Sequence, residues 1–378
     1  MARLLINSKS LLTPLTGIGR YTYEIVTRLP REAGFDYSYY YYGKVTDKII
    51  TSSGSGENKS LLPMIRNILV KNQFTKGLIR GMLDIRSRLF SDTYDLYWEP
   101  AIIPVKGIKA KKTVVTVHDM SLHLHPEWHL KESVSYFNKN FWDNIKNADY
   151  IITDTETVKA EVAEITGFDP ERIKAIHLGI NDGVFKEYPQ DAQDAYRSES
   201  GLDYKFILYV GSIEPRKNLS RMIQAYSSLS DSVKAEYKLL LVGYKGWGND
   251  EIHQLIEKDK ENIKYLGYVT DEELALVYNL AELFVYPTLY EGFGLPPLEA
   301  MACGAPVLTS TTPCVQEVCA DAAEYANPFS IDDTREKILT LLQVDNARNA
   351  LAQKGLAHSA GFRWDKTAGA HYDIFKSL

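Results

Sequence analysis

Short apolar runs alternate with longer segments of mixed polarity along most of this chain. Runs such as Leu4–Asn7 and Leu283–Tyr286 have the length and composition of buried strands. Segments such as Asp271–Ala281 instead repeat apolar residues at the three- and four-residue spacing of an amphipathic helix. Strict alternation of such strands and helices predicts parallel sheets with helices on both faces, which is an α/β fold.

This alternation occurs in two rounds, which predicts two doubly wound domains. The first round has predicted strands at Leu4–Asn7, Phe35–Tyr42, Tyr94–Trp98, Lys112–Val117, Tyr150–Thr153 and Ile173–His177, and predicted helices after Gly17, at Ser133–Ala148 and at Thr155–Thr166. The second has predicted strands at Lys205–Gly211, Lys238–Gly243, Ile263–Tyr268, Leu283–Tyr286 and Ala305–Thr309, and predicted helices from Leu219, at Asp250–Asp259 and at Asp271–Ala281.

Between the two rounds, the segment Asn181–Gly201 is polar, contains proline and shows no strong periodicity, so it is predicted to be the linker. We therefore expect domains at 1–185 and 186–360, followed by a terminal segment at 361–378.

Composition narrows the class of protein. Of the 378 residues, 45% are hydrophobic, which is enough for two separate cores. No apolar run reaches the ~18 residues of a membrane span, and the first residues lead into a strand without a secretory signal, so we expect a cytoplasmic protein. Cys303, Cys314 and Cys319 match neither a disulfide framework nor a zinc pattern. The net charge of −6 argues against nucleic acid as a ligand.

Residues 61–90 depart from this negative charge. They carry six Lys and Arg side chains against the single acid Asp84, interleaved with apolar residues. Such a stretch is either an ordinary amphipathic surface element or a reversible contact with an anionic membrane surface. Gly77 and Gly81 predict two amphipathic pieces in place of one long helix.

Candidate chemistry is densest at Tyr290–Glu299, which reads Y-E-G-F-G-L-P-P-L-E. It follows the predicted strand Leu283–Tyr286, and its two prolines suit the first turn of a helix. Gly292 and Gly294 allow positive φ and a close backbone approach, next to amides that favour anions. The alternative is that Glu291 and Glu299 are surface acids beside a simple turn.

Cations and a histidine follow other predicted strands. Arg216 and Lys217 come after Lys205–Gly211, at a predicted helix start where cations oppose the helix dipole, so a bound diphosphate would explain them. His118 ends Lys112–Val117 and would face the ligand crevice of an open α/β sheet. Gly17-Ile18-Gly19 resembles a phosphate loop but lacks the third glycine of the dinucleotide fingerprint.

Together these segments resemble the retaining glycosyltransferases of GT-B fold that carry an E-x7-E motif. The resemblance rests on Y-V-G-S-I-E-P-R-K-N at Tyr209–Asn218, L-V-G-Y-K-G at Leu241–Gly246, Y-P-T-L-Y-E-G-F-G-L-P-P-L-E-A-M-A-C-G at Tyr286–Gly304, and the pieces G-I-G-R and V-H-D. It covers almost the whole chain. It implies two Rossmann-like domains facing a central cleft, the first binding the acceptor and the second the nucleotide sugar, and a last helix that crosses back to the first domain.

The resemblance also implies residue roles. Arg216 and Lys217 would bind the donor diphosphate, Glu299 would accept from the ribose hydroxyls, and Val269 would lie near the base. The residues implied for catalysis are Glu291, Arg216, Lys217 and His118, and those implied for donor binding are Glu299, Phe293, Gly294, Leu295, Gly17, Gly19 and Val269. No Asp-x-Asp metal motif is evident, and the family resemblance implies a metal-independent reaction with no cofactor beyond the nucleotide-sugar substrate.

Relatives of this kind often transfer mannose or another hexose. The expectation is a retaining hexosyltransferase that moves mannose from GDP-mannose to a lipid-linked oligosaccharide in surface polysaccharide synthesis. A UDP-glucose-type or deoxyhexose donor is the alternative. An epimerase or a phosphorylase on the same fold would need extra catalytic acids or a lysine for a covalent cofactor. A nonenzymatic nucleotide-binding protein would leave the pairing of the two cations with the two glutamates unexplained.

Overall fold

A computed structural model describes residues 1–13, 15, 17–30, 34–51, 92–244 and 250–378. In these residues the chain forms two α/β domains, each built on a sheet of mainly parallel strands, which confirms the predicted fold class. The basic segment 61–90 lies outside the described residues.

The first domain contains a sheet with the order β3-β2-β1-β4-β5-β6-β7 in the described part of the chain. Its strands are β1 (Ala2–Asn7), β2 (Phe35–Tyr41), β3 (Lys44–Thr46), β4 (Thr93–Glu99), β5 (Lys109–Val117), β6 (Tyr150–Thr153) and β7 (Ile173–Ala175). Only the β2–β3 pairing is antiparallel among the described strands of this sheet. The helices are α1 (Ile18–Arg28), α2 (Ser121–Leu124), α3 (Lys131–Lys146) and α4 (Glu156–Thr166).

The second domain contains a parallel sheet with the order β10-β9-β8-β11-β12-β13. Its strands are β8 (Lys205–Val210), β9 (Tyr237–Val242), β10 (Ile263–Gly267), β11 (Leu283–Tyr286), β12 (Val307–Ser310) and β13 (Glu324–Ala326). The helices are α5 (Gln190–Ser200), α6 (Leu219–Ser227), α7 (Asp231–Glu236), α8 (Asp250–Lys258), α9 (Asp271–Leu280), α10 (Leu295–Ala302), α11 (Pro313–Cys319), α12 (Ile331–Gln343) and α13 (Asp345–Ser359). The last helix of the chain, α14 (Trp364–Ser377), packs on the first domain.

The predicted linker is wrong in one respect, because half of Asn181–Gly201 is helix α5. None of its residues is buried, so it shows no apolar stripe from which a helix could be predicted. The helix ends at Gly201, whose φ of 70° is the left-handed conformation that favours glycine at this position. It packs on α9, so this part of the predicted linker belongs structurally to the second domain.

Strand β11 positions the principal loop of the molecule. It lies between β8 and β12, and all four of its residues are buried. Pro296 and Pro297 then occupy the first turn of α10, as predicted from the missing amide hydrogens of proline. The loop between β11 and α10 therefore leaves the carboxyl edge of the sheet and faces the first domain.

The chain returns to the first domain at its end. Helix α14 packs against α1, where His371 Nε2 lies 2.6 Å from the hydroxyl oxygen of Tyr21 and Arg28 Nε donates to Asp365 at 3.0 Å. The two segments that cross between the domains run side by side, since the amide of Ile180 donates to the carbonyl of Phe362 at 3.1 Å. None of the helices in the described ranges has the length and apolar character needed to cross a membrane.

Candidate active site between the two domains

A cavity of about 510 Å³ lies where the carboxyl edges of the two sheets face each other. It brings together most of the residues predicted from the sequence: Gly17, His118, Arg216, Lys217, Glu291, Phe293, Gly294, Leu295 and Glu299. The cavity lining does not include Gly19, which is buried as the second residue of α1, or Val269, which is half-buried between β10 and α9.

Glu291 is the centre of a buried charge cluster. Lys217 Nζ donates to Glu291 Oε1 at 2.6 Å, and Arg216 Nη1 donates to Glu291 Oε2 at 2.8 Å. The hydroxyls of Tyr286 and Thr288 also donate to Oε1, both at 2.9 Å. Burial alone would raise the pKa of Glu291, but the two cations and these hydrogen bonds lower it to about 2. Glu291 is therefore an anion at any physiological pH.

The predicted reason for the two cations needs correction. Arg216 and Lys217 lie in a 3-10 turn at Pro215–Lys217, and Asn218, with a φ of 59°, separates them from helix α6. They do not oppose the dipole of an α-helix directly. Glu291 neutralises both, and Glu214 accepts a further bond from Arg216 Nε at 3.2 Å. Two carboxylates thus balance two cations in the cleft.

The two glycines of the loop serve different purposes. Gly294 has a φ of 100°, which explains its glycine directly. The expectation of positive φ is wrong for Gly292, where a Cβ atom would lie 1.8 Å from the carbonyl oxygen of His118. The Gly292 carbonyl also accepts a bond at 3.0 Å from the hydroxyl of Thr155, in the first domain. At this glycine, therefore, the backbones of the two domains lie too close together for any side chain.

His118 lies in the cleft, as predicted, but its ring nitrogens bond within the first domain. Nδ1 lies 2.8 Å from Asp154 Oδ2, and Nε2 lies 3.0 Å from the Pro100 carbonyl oxygen. Burial would lower the pKa of His118, but Asp154 raises it overall. Asp154 Oδ1, which is buried beside the cavity, has no hydrogen-bond partner among the described residues. It is a buried acceptor whose hydrogen-bonding capacity the described residues do not use.

Arg20 is a site residue that the sequence reasoning did not single out. It extends from α1 of the first domain to two carboxylates of the second, forming an ion pair with Asp271 and lying with Nη1 3.9 Å from Glu299 Oε1. Burial and the neighbouring charge of Asp271 raise the pKa of Glu299 to about 7, even though Arg20 opposes this shift. The G-I-G-R segment contained the residue, but only the fold shows what the arginine reaches.

A pair of exposed tyrosines was also missed. Tyr244 and Tyr268 follow the neighbouring strands β9 and β10, and their rings stack with centroids 4.4 Å apart and planes 21° apart. The charges of Asp271 and Arg20 act on the Tyr268 hydroxyl, so the pair adjoins the Glu299 side of the cleft. Val269, the residue predicted to lie near the base, comes next in the chain. A stacked pair with an exposed face can bind a planar ring.

Four further contacts, all to Glu317, hold the domains together near the cleft. Glu317 of α11 accepts from the amides of Glu156 and Thr157, at 2.7 and 2.9 Å, and from the Thr157 hydroxyl. His177 Nε2 lies 3.0 Å from the same carboxylate. Although burial would raise the pKa of Glu317, these hydrogen bonds lower it to about 2. Glu317 therefore caps helix α4 of the other domain.

The sequence predicted no disulfide framework, no zinc site and no Asp-x-Asp metal motif. Cys303, Cys314 and Cys319 are all buried and free. In the described ranges no group of three or more His, Cys, Asp or Glu side chains is arranged to hold a metal ion. Burial raises the pKa of all three thiols, which is typical of structural cysteines.

The chain is similar to glycosyltransferases in both halves. The family model for glycosyl transferases group 1 matches residues 192–358, and the model for glycosyltransferase family 4 matches residues 15–183. O-antigen chain mannosyltransferase B of Escherichia coli is 31% identical over 384 residues, covering 100% of both chains. Serotype-specific mannosyltransferase WbdA of Escherichia coli is 34% identical over 278 residues, which are 71% of this chain and 34% of WbdA.

Solved structures show the same fold. The crystal structure of Anabaena HepE in complex with UDP-glucose aligns with a TM-score of 0.72 at 17% identity, covering 100% of both chains. WaaG, a glycosyltransferase involved in lipopolysaccharide biosynthesis, aligns with a TM-score of 0.70 at 19% identity, covering 98% of this chain and 99% of WaaG. These alignments confirm the GT-B arrangement of two Rossmann-like domains.

Proposed function

Because this chain belongs to the group 1 glycosyltransferases, we propose that it transfers mannose from GDP-mannose to a lipid-linked oligosaccharide during O-antigen synthesis. The observation that carries the proposal is the match over the full length of both chains to O-antigen chain mannosyltransferase B. The charged cleft supports it, since two cations and two carboxylates converge where a nucleotide sugar would lie. The sugar and the base rest on the mannosyltransferase names of the relatives.

The charge cluster accounts for the leaving group. Departure of GDP develops negative charge on the β-phosphate, and preorganised cations stabilise such charge most when they are buried. In the donor-free cleft, Glu291 neutralises Arg216 and Lys217. A bound diphosphate would compete for the same cations and leave Glu291 free to accept from sugar hydroxyls. The diphosphate would then take over the two cations, and the sugar hydroxyls would supply the hydrogen bonds that the displaced Glu291 carboxylate needs in a buried site.

Other residues would orient the donor. Glu299 would accept from the ribose hydroxyls, and the amides of Phe293, Gly294 and Leu295 would face the β-phosphate at the start of α10. The tyrosine pair Tyr244 and Tyr268 would present its exposed face to guanine. The free oxygen of Asp154, beside His118, would accept from a hydroxyl of the donor sugar.

The reaction would retain the anomeric configuration without a metal ion. The acceptor hydroxyl would attack from the face that GDP leaves, through an oxocarbenium-like ion pair, and a phosphate oxygen would take its proton. Arg216 and Lys217 would stabilise the negative charge on the departing diphosphate, as Mg²⁺ does in metal-dependent enzymes. For the acceptor, residues 61–90 keep their predicted role of bringing the enzyme to an anionic membrane surface.

The decisive experiment measures nucleoside diphosphate release from a panel of sugar nucleotides, with and without a lipid-linked glycan acceptor, in EDTA. We expect acceptor-dependent release of GDP from GDP-mannose, and an unchanged anomeric configuration in the product by NMR. If calorimetry shows tight binding of UDP and no binding of GDP, the donor is a UDP-sugar and not GDP-mannose. Loss of activity in EDTA that Mg²⁺ or Mn²⁺ restores would contradict the metal-free mechanism. Release without an acceptor, or none from any donor, would contradict the transferase proposal.

A further inference from the structure

Arg20 connects the first domain to two carboxylates of the second. Its guanidinium forms an ion pair with Asp271, and Nη1 lies 3.9 Å from Glu299 Oε1. The side chains of Arg20, Asp271 and Glu299 are 19%, 34% and 12% exposed, so little water separates the three charges. Because Arg20 belongs to α1, this arrangement exists only while the domains are closed.

Within the described residues, neither carboxylate forms an ion pair with a cation of its own domain. Asp271 begins α9, but the cap of that helix is already complete: Thr270 accepts from the Glu273 amide, and the Glu273 carboxylate accepts from the Thr270 amide. Two partly buried anions on neighbouring helices repel each other. The arginine of the opposite domain relieves that repulsion.

We propose that Arg20 is a positioning residue for donor binding: it neutralises Asp271, favours the ionised form of Glu299 and orients it toward the ribose, so that the ribose site is complete only after the first domain closes. This inference rests on the ribose role proposed for Glu299. It goes further by making the affinity for ribose depend on a residue of the other domain. Domain closure and nucleotide affinity are then thermodynamically linked.

The arrangement predicts a pH dependence with a definite sign. The charged and titratable groups that face Glu299 are Arg20 on α1, Asp271 and Tyr278 on α9, and Cys303 after α10. Burial raises the pKa of Glu299 to about 7 while Arg20 is present. Removing Arg20 raises this pKa further, so Glu299 is protonated near pH 7 and ionises as the pH rises. Burial keeps the Tyr278 and Cys303 pKa values high, so these groups stay neutral.

The experiment compares GDP with 2′,3′-dideoxy-GDP by isothermal titration calorimetry between pH 6.5 and 9. The two nucleotides share base and diphosphate, so the ratio of their Kd values isolates the ribose hydroxyls. The wild type should prefer GDP by about tenfold or more, the scale of a hydrogen bond to a charged group. Arg20→Gln should lose most of this preference at pH 7 and regain it toward pH 9. Glu299→Gln should lose it at every pH.

Two further variants make the result specific. Arg28→Gln removes another arginine of α1, one that pairs with Glu24 and Asp365 outside the cleft; it should retain the full preference for GDP. Adding Asp271→Asn to Arg20→Gln removes the like charge beside Glu299 and should restore part of the preference at pH 7. If the wild type binds UDP and not GDP, the uridine pair replaces the guanosine pair.

The outcomes separate this inference from the proposed function. If Arg20→Gln retains the wild-type preference at pH 7, or loses it equally at every pH, Arg20 does not favour the ionised form of Glu299 and the inference fails. If the wild type does not distinguish the two nucleotides, Glu299 does not bind ribose. If it binds no nucleoside diphosphate, the proposed function fails with it.

Discussion

The carbonyl oxygen of His118 lies 1.8 Å from the position that a Cβ atom on Gly292 would occupy. Real atoms never approach so closely, so any side chain at 292 would force the two backbones apart. The obstacle is backbone on both sides and therefore cannot rotate away. This contact joins the loop that carries Glu291 to the strand end that carries His118.

We predict that Gly292→Ala lowers kcat at least ~100-fold, since a displacement of about 1 Å in a catalytic arrangement is sufficient for such a loss. Donor binding should change much less, because most of the donor contacts belong to the second domain. Steady-state kinetics measures the expected loss in kcat, and calorimetry with the nucleotide measures the change in binding. Gly369→Ala is the matched control, since a Cβ there meets no atom within 4 Å. Near-normal turnover of Gly292→Ala would show that the close approach is not needed for catalysis.

Arg216→Ala and Lys217→Ala should each lower kcat at least ~100-fold, the scale of removing one preorganised charge from a buried site. Each also leaves Glu291 with one cation fewer, so circular dichroism must first show that the variants fold. Lys205→Ala, which breaks an exposed ion pair with Glu236 in the same domain, serves as the control. Normal turnover in the two folded variants would remove both residues from the mechanism.

The two carboxylates of the E-x7-E segment should differ in kinetics. Glu299→Ala should mainly raise the KM for the donor, because ribose contacts act equally in the ground and transition states. Glu291→Ala should mainly lower kcat, since Glu291 holds the catalytic cations. Steady-state kinetics with varied donor concentration tests this division. The reverse pattern would mean that their roles are exchanged.

Glu317→Gln should open the donor-free enzyme, because the carboxylate accepts bonds from two amides and a hydroxyl of the first domain. Small-angle scattering should show a larger radius of gyration than for the wild type. Glu324→Gln, which breaks an ion pair within the second domain, should not expand the molecule. An unchanged radius for Glu317→Gln would mean that the other interdomain contacts suffice.

Acid should weaken the same contact. The pKa of Glu317 is lowered to about 2 in the closed form, against an ordinary value of 4.5. Its contribution to closure is therefore complete above pH about 4.5 and is lost as the pH falls toward 2. The difference in radius between wild type and Glu317→Gln should shrink from pH 5 to pH 3. A constant difference would indicate that Glu317 does not act as an ionised cap.

Residues 61–90 supply a prediction from sequence alone. At roughly 1 kcal/mol per basic residue near an anionic surface, three of the six would shift partitioning about a hundredfold. Wild-type protein should sediment with anionic vesicles at low salt, and replacing Arg66, Lys71, Lys76 and Arg80 by Glu should abolish this without unfolding. If that variant still sediments with the vesicles, or if the wild type does not, residues 61–90 are an ordinary surface element.

The local sequence was sufficient to predict those parts of the fold and of the site that a single strand, loop or helix forms by itself. Leu283–Tyr286 and the two prolines after it predicted a strand, a loop and a helix start, and the structure has all three. Helix α5 was missed because its residues are mostly polar and none is fully buried, so no apolar stripe marks the side that packs on α9. The reach of Arg20 to Asp271 spans 251 positions in the chain, and no local pattern encodes such a distance.

The paired crossing segments make the second domain an insertion into the first. The chain leaves the first domain near Ile180 and re-enters it near Phe362, and these two points are hydrogen-bonded to each other. At Gly179, a Cβ atom would lie 2.1 Å from the Trp364 amide nitrogen, so the strands are in direct contact there. A single connecting segment would let one domain rotate in any direction relative to the other. Two segments that are hydrogen-bonded to each other restrict the movement to bending about one hinge axis. With one bending axis, we expect each closure to bring Arg20 back to Asp271 and Gly292 back to His118.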